Sequence, residues 1–141
     1  MAKSRQLERL QRRLEAIPKS VREAVVPALV KSADELADTM RQLAEPSRDT
    51  GALIESIAVT PPGQSTPPYS QPGGMRVAGE LEVLVTAGNE GVRYGHLVEY
   101  GTSSAEAQPF FWPAVRLTQK RTRNRTRRAI GKAVRDGWNK P

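Results

Sequence analysis

Leu81-Glu82-Val83-Leu84-Val85-Thr86 runs through Ala87 into Gly88-Asn89-Glu90-Gly91. Leu81, Val83 and Val85 alternate with Glu82, Leu84 and Thr86, the period-two pattern of a partly buried strand. The Gly-Asn-Glu-Gly run is a turn that returns the chain through Val92 to Tyr100. Upstream, Asp49-Thr50-Gly51-Ala52-Leu53 sets a glycine after short polar residues, a second turn signal that leads into the strand Ser56-Ile57-Ala58-Val59-Thr60. The centre of the chain is therefore expected to be a small antiparallel sheet.

Helical patterns flank it on both sides. Leu7, Leu10, Leu14 and Ile17 recur at spacings of three and four between arginines, the stripe of an amphipathic helix that Pro18 is expected to stop. Ser20 then caps a second helix with Val21, Val25, Leu29, Leu36, Met40 and Leu43 inward, kinked or divided at Pro27 and ended by Pro46. After the sheet, a last helix is expected to start near Pro109, where a missing amide costs nothing, and to keep Ala129, Ile130, Ala133, Val134 and Trp138 on one apolar stripe. The class is α+β: two N-terminal helices, a small antiparallel sheet with a long Pro/Gly-rich inter-strand loop, and a basic C-terminal helix. At 141 residues this is one domain, with a helical part over 1–45, the sheet over 49–102 and a helical part over 109–138.

Between the strands, residues 61–79 hold five prolines and four glycines and almost no aliphatic side chain. A connection this long is functional or disordered in a compact domain, because its backbone polar groups need water or a partner. It reads as a protruding arm that orders against another subunit. Tyr69 and Met75 are its large side chains and are candidate contacts.

Composition removes several function classes. The chain has no cysteine, so disulfides, thiolate zinc sites and a cysteine nucleophile are excluded by counting. Met1 to Leu10 is charged and lacks the apolar run of a secretory signal, and no stretch approaches the length of a membrane span. A soluble protein made in the cytosol, with no membrane partner, is the expectation. His96 is the only histidine. There is no HExxH motif and no cluster of carboxylates to hold a metal. His96 beside Arg93 or Glu99 is the one conceivable nuclease centre, and spacing gives it no geometry. The glycine runs lack the lysine and spacing of a phosphate-binding loop, and Ser103-Ser104 lack a base. No catalytic, cofactor or metal site is expected, and no enzyme.

Charge gives the strongest physical signal. The chain carries 22 Lys and Arg against 15 Asp and Glu, a formal net charge of +7. From Arg116 to Arg135 there are nine cations and no acid. Like charges at i,i+4 cost a few tenths of a kcal/mol per pair, which an anionic surface would relieve. Arg116, Lys120, Arg121, Arg123, Arg125, Arg127, Arg128 and Lys132 form the candidate basic face, turned toward DNA phosphates or an acidic protein. A solvated face that keeps the protein in solution is the plainer reading, and without interleaved aromatics base stacking is not supported. Phe110, Phe111 and Trp112 are adjacent and cannot all point one way on a helix. One or two belong to the core, and the remainder is a candidate subunit contact.

Three segments in order carry a resemblance: Asp49-Thr50-Gly51-Ala52-Leu53 with Ser56-Ile57, then Tyr94-Gly95-His96-Leu97-Val98-Glu99-Tyr100-Gly101-Thr102, then Pro109-Phe110-Phe111-Trp112-Pro113-Ala114. Together they resemble the gene-product-ten-like family of lambdoid siphophages, small proteins of the head-tail joining and tail-completion module. The resemblance spans about residues 49–135. It implies a structural virion protein at the head-tail junction, assembled in the host cytoplasm and without catalytic residues. A homo-oligomer in ring form is expected separately, because assembly would cover the helices, sheet edges, spare aromatics and arm that an isolated subunit leaves exposed; its neighbours would be head-connector, stopper, tail-terminator and tail-tube proteins, with non-specific contact to packaged DNA as an option. The tail-terminator ring itself and a basic nucleic-acid-binding module are the alternatives. The proline-rich insertion and the arginine density of the last helix depart from the family pattern and leave its docking open.

Overall fold

The computed structural model describes residues 5–139. Helix α1 spans Arg5–Ala44, a short 3-10 turn follows at Glu45–Ser47, and α2 spans Ala52–Glu55. Strands β1 (Ala58–Thr60) and β2 (Leu84–Thr86) are followed by α3 (Gly95–Tyr100) and α4 (Phe111–Asn139). The expected α+β architecture is present, with helix dominating.

The N-terminal pair of helices is one helix. Pro18 and Pro27 both lie inside α1. A proline removes one amide and pushes on the carbonyl of the preceding turn, which bends a helix more readily than it ends one when the freed carbonyl meets water. Both prolines are exposed, and packing against α4 holds the segments on either side of them in line. At 1.5 Å per residue α1 is about 60 Å long and α4 about 43 Å. The two run antiparallel: Gly137 lies against Ile17 and Ser20, while Arg125 reaches Ser32 and Glu35. A Cβ on Gly137 would stand 3.3 Å from Ser20 Oγ and 3.4 Å from the Ile17 backbone, so the two helices are in close contact there.

The sheet is the two-stranded antiparallel pair β1–β2, in register Ala58↔Thr86, Val59↔Val85 and Thr60↔Leu84. Both strands are shorter than the sequence pattern. The Leu81–Val83 half of the alternating stretch stays outside β2 because Glu82 turns back on Gly79: its amide donates to the Gly79 carbonyl and its carboxylate accepts from the Gly79 amide. Beyond the Asn89↔Val92 bridge the chain does not continue as a strand but coils into α3.

The proline-rich segment is not a free loop in the isolated chain. Ser65 pairs with Val77 and Gln71 with Ala87 as isolated antiparallel bridges. Thr66, Ser70 and Ala78 are buried. The segment so forms an irregular hairpin hung on the end of β2, and its backbone groups find partners within the chain.

The core forms where α1, α2, the sheet and the start of α4 meet. Met40, Ala37 and Ala44 of α1 pack with Leu53, Ile57, Ala87, Val92, Phe110 and Ala114. Phe110 is the largest fully buried side chain. Small residues on α1 and α4 let the helices approach, and the one large ring fills the space between helix and sheet.

Candidate functional site

Helix α3 ends at Gly101, whose φ of 76° lies in the left-handed region. A Cβ there would fall 2.7 Å from the Ala107 amide nitrogen, so only glycine lets the chain reverse so tightly. The returning segment is fastened by the Gln108 amide, which donates to the Val98 carbonyl at 2.8 Å. The reversal brings α4's first turn over Glu99. This buried carboxylate, 6% exposed, accepts hydrogen bonds from the amides of Phe110 (2.8 Å), Phe111 (2.9 Å) and Trp112 (3.2 Å). The first amides of a helix have no acceptor within it, and a carboxylate there satisfies them and opposes the helix dipole. Two of the three segments that carry the resemblance are thus joined by one side chain.

The same junction spreads the three aromatics. Phe110 goes to the core, Phe111 is half-buried and Trp112 is 40% exposed. Phe111 meets Trp112 edge-on at 5.0 Å between centroids, and the Trp112 indole N–H donates to the Tyr100 hydroxyl at 2.8 Å. A cleft of about 90 Å³ lies over them, walled also by Gln71, Pro72 and His96.

A second, wider depression adjoins it. Tyr69, Met75 and Arg93 line it, and Gln71 and His96 belong to both. Tyr69 is held at φ 62°, an uncommon conformation for a side-chain-bearing residue, and its ring is presented outward. The Arg93 guanidinium lies 3.7 Å from the ring centroid, a stacked cation–π pair. Met75 is 63% exposed. Candidate contacts that lie some forty residues apart in sequence therefore border one surface around His96, with Phe110 alone withdrawn from it. Arg93, Tyr100 and Gln71 complete this surface. Sequence reasoning assigned none of them to a contact surface, and only the Tyr94–Thr102 segment signalled that something there mattered.

The basic face divides in two. Arg121 and Arg125 bond to Glu35 at 3.0 and 2.8 Å, and Arg125 also donates to Ser32 Oγ at 2.8 Å. The Arg125 hydrogen bond, followed by that of Arg121, holds the Glu35 carboxyl below the ordinary glutamate value, against a partial desolvation that pushes it up. Arg125, largely buried, is structural, whereas Arg121 reaches Glu35 from an exposed position. Arg116, Lys120, Arg123, Arg127, Arg128 and Lys132 are exposed and have no acidic partner among the described residues. His96 is exposed on α3. Glu99, its suggested catalytic companion, is committed to capping α4. No group of three or more His, Asp or Glu side chains is placed to hold a metal ion among the described residues.

The family model described as "Bacteriophage HK97-gp10, putative tail-component" matches residues 8–101. The chain belongs to this family. The match covers two-thirds of the chain, from the first turns of α1 to the glycine that ends α3. Helix α4 lies outside it and is tied to the matched part by Glu99. The HK97-gp10-like family is one of phage tail components, so the chain is a part of a virus particle that meets other structural proteins. No curated protein and no solved structure matches the chain. No helix among the described residues is long and apolar enough to cross a membrane.

Proposed function

We propose that this tail component completes the head-tail junction of a tailed phage or prophage-derived particle, as a ring of copies docked on connector, stopper, terminator or tube proteins. It acts by contact and not by catalysis. The observation that carries this reading is the surface around His96. Tyr, Trp, Met and Arg are the residue types that dominate protein interfaces, and here Tyr69, Arg93, Met75 and Trp112 border one surface. Tyr69 is exposed and conformationally strained at the same place, which fits a side chain positioned for a partner.

Mixing the purified protein with isolated tails and with connector-bearing heads tests the proposal. Wild-type protein should enter one of them. The triple variant Tyr69→Ala, Met75→Ala, Trp112→Ala should remain folded and lose incorporation at least tenfold, as expected when hot-spot side chains are removed. Wild-type protein that stays free of both, or a triple variant that incorporates equally well, would refute it. Incorporation into tails in place of the terminator would assign the chain to the terminator slot.

A further inference from the structure

Charge is divided between two parts of this molecule. Residues 5–22 and 116–139, the N-terminal part of α1 and most of α4, carry fifteen Lys or Arg and three Asp or Glu. Residues 23–115 carry five Lys or Arg and twelve Asp or Glu. Four of those acids lie on α1 beneath α4, and the globular part proper, residues 45–110, carries eight Asp or Glu against three Lys or Arg, so a net charge of +7 conceals a basic pair of helix segments and an acidic globular part.

The outward ridge of α4 has two kinds of residue in succession. Arg116, Lys120, Arg123 and Arg127 recur at alternating spacings of four and three, and Ile130, Val134 and Trp138 continue the same ridge, each 38–39% exposed. Arg13 of α1 stacks over Trp138 at 5.5 Å, which places the exposed Leu10 and Leu14 of α1 at this same end. The free end of the hairpin is thus an apolar patch with a cationic rim.

We infer that this cationic, apolar hairpin face docks on the acidic globular part of a second copy of the chain. The inference rests on the ring reading above and names the surfaces that would form the ring. Two hairpin ends meeting each other would set like charges together, whereas the acidic part of another copy offers opposite charge. DNA would satisfy the arginines but leaves Ile130, Val134 and Trp138 uncovered, because a phosphate backbone offers them no apolar surface. Glu55 and Glu90 are suitable acceptors: they flank the bond from the Gly88 amide to Ser56 Oγ, are exposed and have no cationic partner among the described residues. A contact between unlike patches of identical subunits is heterologous, so it propagates and closes into a ring when the rotation allows.

Light scattering on purified variants decides the matter. Wild-type protein should form oligomers at low salt that weaken on the order of tenfold when salt rises from ~0.05 to ~0.5 M. Arg123→Glu with Arg127→Glu removes one half of the contact, and Glu55→Lys with Glu90→Lys removes the other. Each variant alone should be a folded monomer by circular dichroism. Mixed together, they should associate again, because the intact ridge of one meets the intact acidic patch of the other and the two reversed faces are also opposite in charge. A wild-type protein that is monomeric at low salt, variants that oligomerise like wild type, or a mixture that stays monomeric would each overturn the inference. If the wild type stays monomeric but is retained on duplex DNA, and the Arg variant is not, the ridge serves nucleic acid instead. Wild-type protein that enters tails or heads without self-association would leave the head-tail proposal standing and sink only this contact.

Discussion

Glu99 is the residue on which the arrangement of the C-terminal half turns. Its carboxylate serves three amides, and each bond to a charged acceptor contributes about 1.5–3 kcal/mol when its loss leaves a buried donor unpaired. Glu99→Ala should lower the unfolding free energy by about 2–4 kcal/mol in urea titrations, and Glu99→Gln, which keeps an acceptor oxygen, by about half as much. An alanine variant within about 0.5 kcal/mol of wild type would show that water caps the helix as well as the carboxylate does. Nothing in the local sequence announced this role. Capping signals are read from residues just before a helix, and Glu99 stands eleven positions before the first amide it serves. It was visible in sequence only as a member of the Tyr94–Thr102 segment, where its nearness to His96 suggested chemistry instead. The separation of a buried Phe110 from an exposed Trp112 was legible, because helical periodicity alone forces adjacent aromatics apart.

At the scale of elements, the pairing of α1 with α4 settles what the prolines do. Pro18 and Pro27 were sound reasons to expect a boundary, since both disrupt the local hydrogen-bond ladder. The competing fact was long-range: α4 covers α1 from Ile17 to Glu35 and holds both sides of each proline in one line. Local signals could not reveal a partner more than ninety residues away. The same pairing carries a pH dependence. Glu35 is more acidic in the folded chain than in the unfolded one, so the unfolded state takes up its proton first as pH falls. The stability it contributes is complete above the ordinary glutamate value and disappears as pH drops through the lowered one. Thermal melts should therefore show a smaller loss between about pH 5 and pH 3 in Glu35→Gln than in wild type, with a lower melting point at pH 7. Equal acid slopes in the two proteins would remove Glu35 from the account. The sheet shows the reverse case, in which a period-two pattern gave the strand correctly but not its length, because Glu82 spends its polar atoms on a turn.

Across the whole molecule, the order of helix, sheet and helix was legible, since each has its own hydrophobic period. The insertion's two isolated bridges, Ser65 to Val77 and Gln71 to Ala87, were not, because they leave no periodic trace. Net charge was equally incomplete, as a single total hides where the charges lie. A protein with a basic hairpin and an acidic body should be retained at neutral pH and low salt on both cation- and anion-exchange resins, through different faces. Binding to the cation exchanger only would mean that the acidic part is too dispersed to act as a patch. The Glu99 latch has a consequence for how such a subunit comes apart. Three bonds that converge on one carboxylate act in parallel, and none can yield while the side chain stays seated beneath α4. The start of that helix should therefore resist the turn-by-turn fraying of an ordinary helix end. Load applied at the start of α4 should pass into the core through this clasp before it reaches the Arg125–Glu35 bonds further along the helix.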